Sequence, residues 1–240
     1  PTPTPTPVPT PGVGELRQIA LATNDLVTDP ASQTIFASVP SSVGVGGNSV
    51  VPIGPVAGTP GAAVFVGSEP NRLAISDNGA VLYVSLDGAN AVRKFDVPTK
   101  TPGAQFSLGS DSFFGPYRAQ DMAVAPGQPD VLAVSRLRPS VSPGHGGVAI
   151  FDNGVPRSLT TPDHTGSNVI EFSKSPEILY GQNTETTEFG FRRMAVGSCG
   201  VITVRTIQSL LSGFGLDFRV DNGVAYSSGG RAVDPEAGNI

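Results

Sequence analysis

One unit recurs five times along this chain at nearly constant spacing: a short apolar strand, a tight turn and a strand that runs back. Its clearest copy spans Asn71 to Val97. There Leu73 to Ser76 runs out, Asp77-Asn78-Gly79 supplies cheap positive backbone angles for the turn, and Val81 to Ser85 returns. A second turn at Asp87-Gly88 leads into Val92 to Val97. Aligned on the returning strand, Thr34 to Ser38, Val81 to Ser85, Val131 to Ser135, Ile178 to Gln182 and Val224 to Ser228 fall at intervals of 47, 50, 47 and 46 residues.

A period near 47 filled by about four short strands is the mark of a β-propeller blade. The expected fold is therefore all-β: a propeller of four-stranded antiparallel blades, with about five units starting near residues 25, 72, 121, 168 and 215 and the last incomplete. Seven units at this period need roughly 330 residues, and Glu236 to Ile240 reads as a turn entering another strand. The five units thus read as a fragment of a larger, seven-bladed ring. The alternative is a closed five-bladed ring, in which Leu16 to Ala22 pairs with Arg231 to Asp234 to remove the open edge.

Residues 1–14 precede the repeats. Pro1 to Gly12 holds six Pro and four Thr in near-strict alternation, which favours an extended polyproline linker. Such a segment reaches roughly 35 Å at about 3.1 Å per residue. The propeller then occupies residues 15–240, and further blades or domains of the same polypeptide are expected beside it.

Only 15% of residues are charged, and Gly and Pro number 30 and 23, a composition of strands and turns. The net charge of -5 leaves no basic stripe to neutralise phosphates, which argues against a nucleic-acid partner. No apolar run approaches the roughly 18 residues of a membrane-spanning helix, so membrane insertion of this segment is not expected. The lone Cys199 allows no internal disulfide and reads as a small buried side chain.

Reactive centres are hard to assemble from this sequence. There is no Trp to stack a quinone cofactor and no Cys-x-x-Cys-His for haem, and His145 and His164 are too few for a copper site. Both histidines read as exposed loop residues, and no cofactor is expected. Asp25, Asp121 and Asp217 sit at or just ahead of the innermost strands, with Arg72 and Asn168 at the matching places. They read as polar lining of the channel.

Two connections stand out as ligand-contact loops. One carries Phe113, Phe114 and Tyr117 between units two and three, where packing between sheets competes with ligand stacking. The other is the excursion from Arg136 to Gly147, with Arg136, Arg138 and His145. The partner expected for such loops is an unidentified protein or carbohydrate.

Leu82-Tyr83-Val84-Ser85 followed by Val92-Arg93-Lys94-Phe95-Asp96-Val97-Pro98-Thr99 resembles the YVTN-type propeller repeat, with Ser85-Leu86 where that repeat has Thr-Asn. Ala232 to Gly238 is similar to the strand and Asp-Pro-x-x-Gly turn of quinoprotein amine dehydrogenase-like and lactonase-like propellers. The resemblance implies a propeller domain of a large bacterial secreted or surface protein, placed outside the cell or on its surface. The function expected is a non-catalytic scaffold or binding and adhesion module. Two rivals are a lactonase- or hydrolase-like enzyme working at the channel mouth, and a structural spacer without ligand.

Overall fold

A computed structural model describes residue 16 and residues 18–239; the Thr/Pro-rich stretch lies outside them. The repeats fold as five antiparallel sheets, mostly four-stranded, in chain order around one central channel. Blade one is Asp25–Thr28, Ile35–Val39, Ser49–Gly54 and Thr59–Pro60, with Val64–Phe65 also pairing its third strand. Blade two is Pro70–Ile75, Val81–Leu86, Ala91–Asp96 and Thr101–Ser107. Blade three is Arg118–Ala125, Gln128–Leu137, His145–Asp152 and Val155–Pro156. Blade four is Val169–Phe172, Ile178–Gln182, Gly190–Gly197 and Gly200–Gln208, and blade five is Phe218–Asp221, Val224–Ser227 and Ala232–Val233. The first strand of each blade is the innermost.

Each seam between blades is an apolar core, because a strand buried on both faces must send alternate side chains to opposite neighbours. Phe36 and Val50 of blade one meet Leu82 and Phe95 of blade two. Tyr83 and Val92 meet Leu132 and Phe151 of blade three. Ala133 and Ile150 meet Leu179 and Met194 of blade four, and Tyr180 and Phe191 meet Phe218 and Ala225 of blade five.

Polar ties reinforce these seams. Asp25 accepts the Leu73 N–H at 2.9 Å, and Asp121 accepts the Ile170 N–H at 2.7 Å. Ser38 donates to the Asn71 carbonyl and Ser135 to the Ser167 carbonyl, both at 2.6 Å. In blades one and three the serine that closes the returning strand is thus a joint as well as a repeat marker.

Several expectations are corrected here. Residues 18–23 form no strand, and Ala232–Val233 pairs with blade five alone among the described residues. Ile19 and Leu21 instead pack against Ala37, Val39, Val51 and Ile53 of blade one. The connection after blade two forms a small hairpin, Ser110–Asp111 with Gly115–Pro116, seeded by Asp111 accepting the Phe113 and Phe114 N–H groups. Cys199 is exposed in the tight turn between Gly190–Gly197 and Gly200–Gln208. His145 lies not in a loop but in a strand, fully buried, whereas His164 is exposed.

Candidate functional site: the charged channel and the aromatic rim

All five inner strands contribute to the channel. Its end at the strand starts opens into a chamber of about 310 Å³ that includes Asp25, Arg72, Asp121, Asn168, Asp217 and Arg219. The other end is a wider chamber of about 690 Å³, with Leu26, Ala74, Val124, Phe172 and Val220 on its walls and the Glu171 and Arg219 pair at its waist. Asp25, Asp121 and Asp217 therefore do converge with Arg72 and Asn168.

Most of these groups are already engaged. Asp25 spends one oxygen on the Leu26 N–H and the other on the Leu73 N–H. Arg219 holds Glu171 at 2.8 Å, and Asp217 accepts the Phe218 N–H at 2.8 Å. Asn168 bridges Gln120 and Glu185, each at 3.1 Å. Burial pushes the Asp121 carboxyl up to about 7, against its hydrogen bonds from Ile170 and Met122 and the charges of Arg219 and Arg72. Burial also raises Glu171, with Arg219 pulling the other way. The channel can thus hold a proton on Asp121 near neutral pH. Among the described residues no group of three or more His, Cys, Asp and Glu is arranged to hold a metal ion.

The six loop residues singled out from the sequence form a second constellation on the rim between blades two and three. Arg136 stacks over Tyr117, its guanidinium carbon 4.5 Å from the ring centre, and Arg138 stacks over Phe114 at 5.2 Å. Arg138 is buried, pairs with Asp163 at 3.0 Å and Asp111 at 3.7 Å, and donates to the His145 carbonyl at 3.2 Å. Tyr117 packs into the seam as a plug, but Phe113 stands 85% exposed at the hairpin tip, 4.9 Å from Phe114. His145 is pushed down to about 3 by burial and by Arg192, Arg136 and Arg138 around it. Its Nε2 faces Gly166, where a Cβ would collide with the ring.

Sequence inspection missed Glu171, Arg219, Asp111, Asp163 and Glu185. The first two lie one repeat apart at matching inner-strand places, and that spacing was the signal available for them. Arg192 and Arg193 both find acids: Glu188 at 2.9 Å and Glu236 at 2.8 Å.

No family model and no curated protein matches the chain. Solved structures do. Kuenenia stuttgartiensis hydrazine synthase aligns at 16% identity and TM-score 0.65, over 89% of this chain and 57% of that one. Myceliophteria thermophila Cps50 (Swd1) β-propeller domain aligns at 11% and 0.66, over 91% and 65%. The fold is a β-propeller. Dihydro-heme d1 dehydrogenase NirN in complex with DHE aligns at 15% and 0.57, over 86% and 41%. This propeller chain spans well under two thirds of the NirN and hydrazine synthase chains and 65% of the third. At such identities the likeness establishes the fold alone.

Proposed function

We propose that this chain is a structural propeller scaffold whose channel charges hold the blades together instead of acting on a substrate. The observation that carries this is the use of Asp25 and Asp121, whose carboxylates accept the backbone N–H groups of the next blades. A group spent on a buried backbone N–H is costly to free for chemistry. The test compares Asp121→Ala and Glu171→Gln in denaturant unfolding and in turnover of a panel of lactones and esters. Loss of stability without any turnover in the parent supports the scaffold. Turnover by the parent that Glu171→Gln abolishes, with unfolding unchanged, replaces it with the lactonase-like enzyme.

Phe113 favours a second reading, a binding module. An exposed apolar ring resting on Phe114, which a buried guanidinium backs in turn, is shaped to meet a protein or carbohydrate surface. A glycan array and a pull-down repeated with Phe113→Ser test it, and binding unaffected by that change overturns it.

The five blades are proposed as an arc of a larger ring, of the YVTN type suggested by Leu82 to Ser85. In support, Leu26 at the open end of blade one is 54% exposed while its counterparts Leu73, Met122, Ile170 and Phe218 are buried. The Thr/Pro-rich composition of residues 1–14 supports placement outside a bacterial cytoplasm.

A further inference from the structure

The five returning strands carry an aromatic or small residue two places before the closing serine or glutamine: Phe36, Tyr83, Ala133, Tyr180 and Tyr226. That place faces the following blade. Phe36 packs against Phe95 of blade two, and Ala133 packs in the core shared with blade four. Tyr83 is 1% exposed and its hydroxyl donates to the Pro129 carbonyl of blade three at 3.0 Å. Tyr180 is 3% exposed and donates to Glu236 of blade five at 2.6 Å. Tyr226, the same residue in the same register, is 51% exposed.

A second device repeats at the inner strand. Asp25, at the start of its inner strand, and Asp121, within Arg118–Ala125, lie opposite Ser38 and Ser135, and each reaches forward to a backbone N–H of the next blade. Asp217 stands at the equivalent place in blade five, its own N–H donating to Ser228 as that of Asp25 donates to Ser38. One Asp217 oxygen takes the Phe218 N–H, as one Asp25 oxygen takes the Leu26 N–H. The other oxygen of Asp25 holds blade two.

We infer that the face of blade five bearing Tyr226 and Asp217 is a docking surface for one further propeller blade of the same polypeptide. That blade offers an inner-strand N–H to Asp217 and an oxygen acceptor to the Tyr226 hydroxyl. The inference rests on the larger-ring proposal and continues the interface already built four times in this molecule. A blade is the occupant because both devices meet groups that an antiparallel blade presents at fixed register: the N–H of a residue such as Leu73 or Ile170, and an oxygen such as that of Pro129.

Two experiments separate the inference from the proposal beneath it. In a Cys199→Ser background, Leu26→Cys and Asp217→Cys are introduced together and oxidised at low protein concentration. A larger ring keeps them apart, so no disulfide forms within one chain. An intrachain 26 to 217 disulfide overturns the larger ring and this inference with it.

In the second experiment the chain is extended after residue 240 by another copy of residues 108–156, the blade that naturally receives Tyr83. Nitration by tetranitromethane is read at each tyrosine, with Tyr83 and Tyr180 as buried controls. Docking slows nitration of Tyr226 by about tenfold relative to the unextended chain and raises the melting temperature. Tyr226→Ala removes that rise and leaves the unextended chain unaltered. An appended copy that is digested by protease while Tyr226 reacts at its original rate overturns the docking surface and leaves the larger ring standing. Protection of Tyr226 in the unextended chain that grows with concentration assigns the face to a second copy and also overturns the inference.

Discussion

The carboxylate of Asp121 accepts the backbone N–H of Ile170 at 2.7 Å, across the seam between blades three and four and 49 residues along the chain. It is half-buried there, on the wall of the channel. Replacing it with Ala leaves that N–H without an acceptor, a loss of about 1–3 kcal/mol. Asn keeps an acceptor oxygen, so Asp121→Asn costs less. Urea unfolding of the two variants is expected to rank them in that order, and equal midpoints would show that the tie contributes nothing.

The same carboxyl gives stability a pH dependence of definite sign. Its folded value of about 7 lies above the ordinary one, so between the two the folded state holds more proton than the unfolded state. Stability from this group is present in acid and is lost as pH rises from about 4 through 7. Glu171, also raised, adds in the same direction. The unfolding free energy of the parent minus that of Asp121→Asn is expected to fall across this window, and a flat difference would contradict it.

The propeller was legible from the sequence because each blade repeats its turn chemistry, and Asp77-Asn78-Gly79 and Asp221-Asn222-Gly223 mark the same hairpin in two blades. The rim was legible only in part. Arg136, Arg138 and His145 looked like loop residues because Pro139, Pro143 and the glycines around His145 suggest irregular backbone. Yet the strands extend to Leu137 and resume at His145, since Leu137 pairs across to His145 and leaves only residues 138–144 as loop. No local pattern says that Arg138 will be buried, because its partners Asp111 and Asp163 lie 27 residues before and 25 after it. The Glu171 and Arg219 pair escaped notice for the same reason.

Arg138 is expected to hold the Phe113 and Phe114 hairpin in place. Arg138→Met keeps much of the side-chain bulk but strips Asp111 and Asp163 of their cation and frees the His145 carbonyl. With Asp163 half in water, the expected loss is about 1–3 kcal/mol, with faster amide exchange at residues 110–116. Phe113→Ser, at the exposed tip, is expected to stay within about 0.5 kcal/mol of the parent. A Phe113 change that costs as much as the Arg138 change would contradict this division of roles.

Gly166 is required by the imidazole of His145. Any Cβ at residue 166 would overlap the ring, which has no room to retreat because it is buried among Arg136, Arg138 and Arg192. Gly166→Ala is expected to cost about 1–3 kcal/mol, the usual range for overpacking. His145 itself, held down to about 3, gives a pH dependence opposite to that of Asp121. Its stability is present above about 6.5 and is lost as pH falls toward 3. An NMR titration in which the His145 ring protonates near 6.5 would remove the basis for both expectations.

Arg219 and Glu171 join the inner strands of blades five and four at 2.8 Å, but the Arg219 side chain is two-thirds exposed. Solvent screening therefore limits what the contact contributes to about 1 kcal/mol or less. The more telling effect of Arg219→Met is on the acid it abandons. Burial already raises Glu171, and without the guanidinium nothing in that pair opposes the rise, so the carboxyl is expected to titrate higher still. Arg219→Met should then destabilise the fold more at pH 8 than at pH 5, because only the ionised carboxylate misses its partner. Glu171→Gln combined with Arg219→Met should erase that difference, since a neutral amide needs no cation. Unfolding midpoints of the single and double variants at the two pH values decide the matter. A single-variant penalty that is the same at both would mean that Arg219 acts through packing of its aliphatic stem alone.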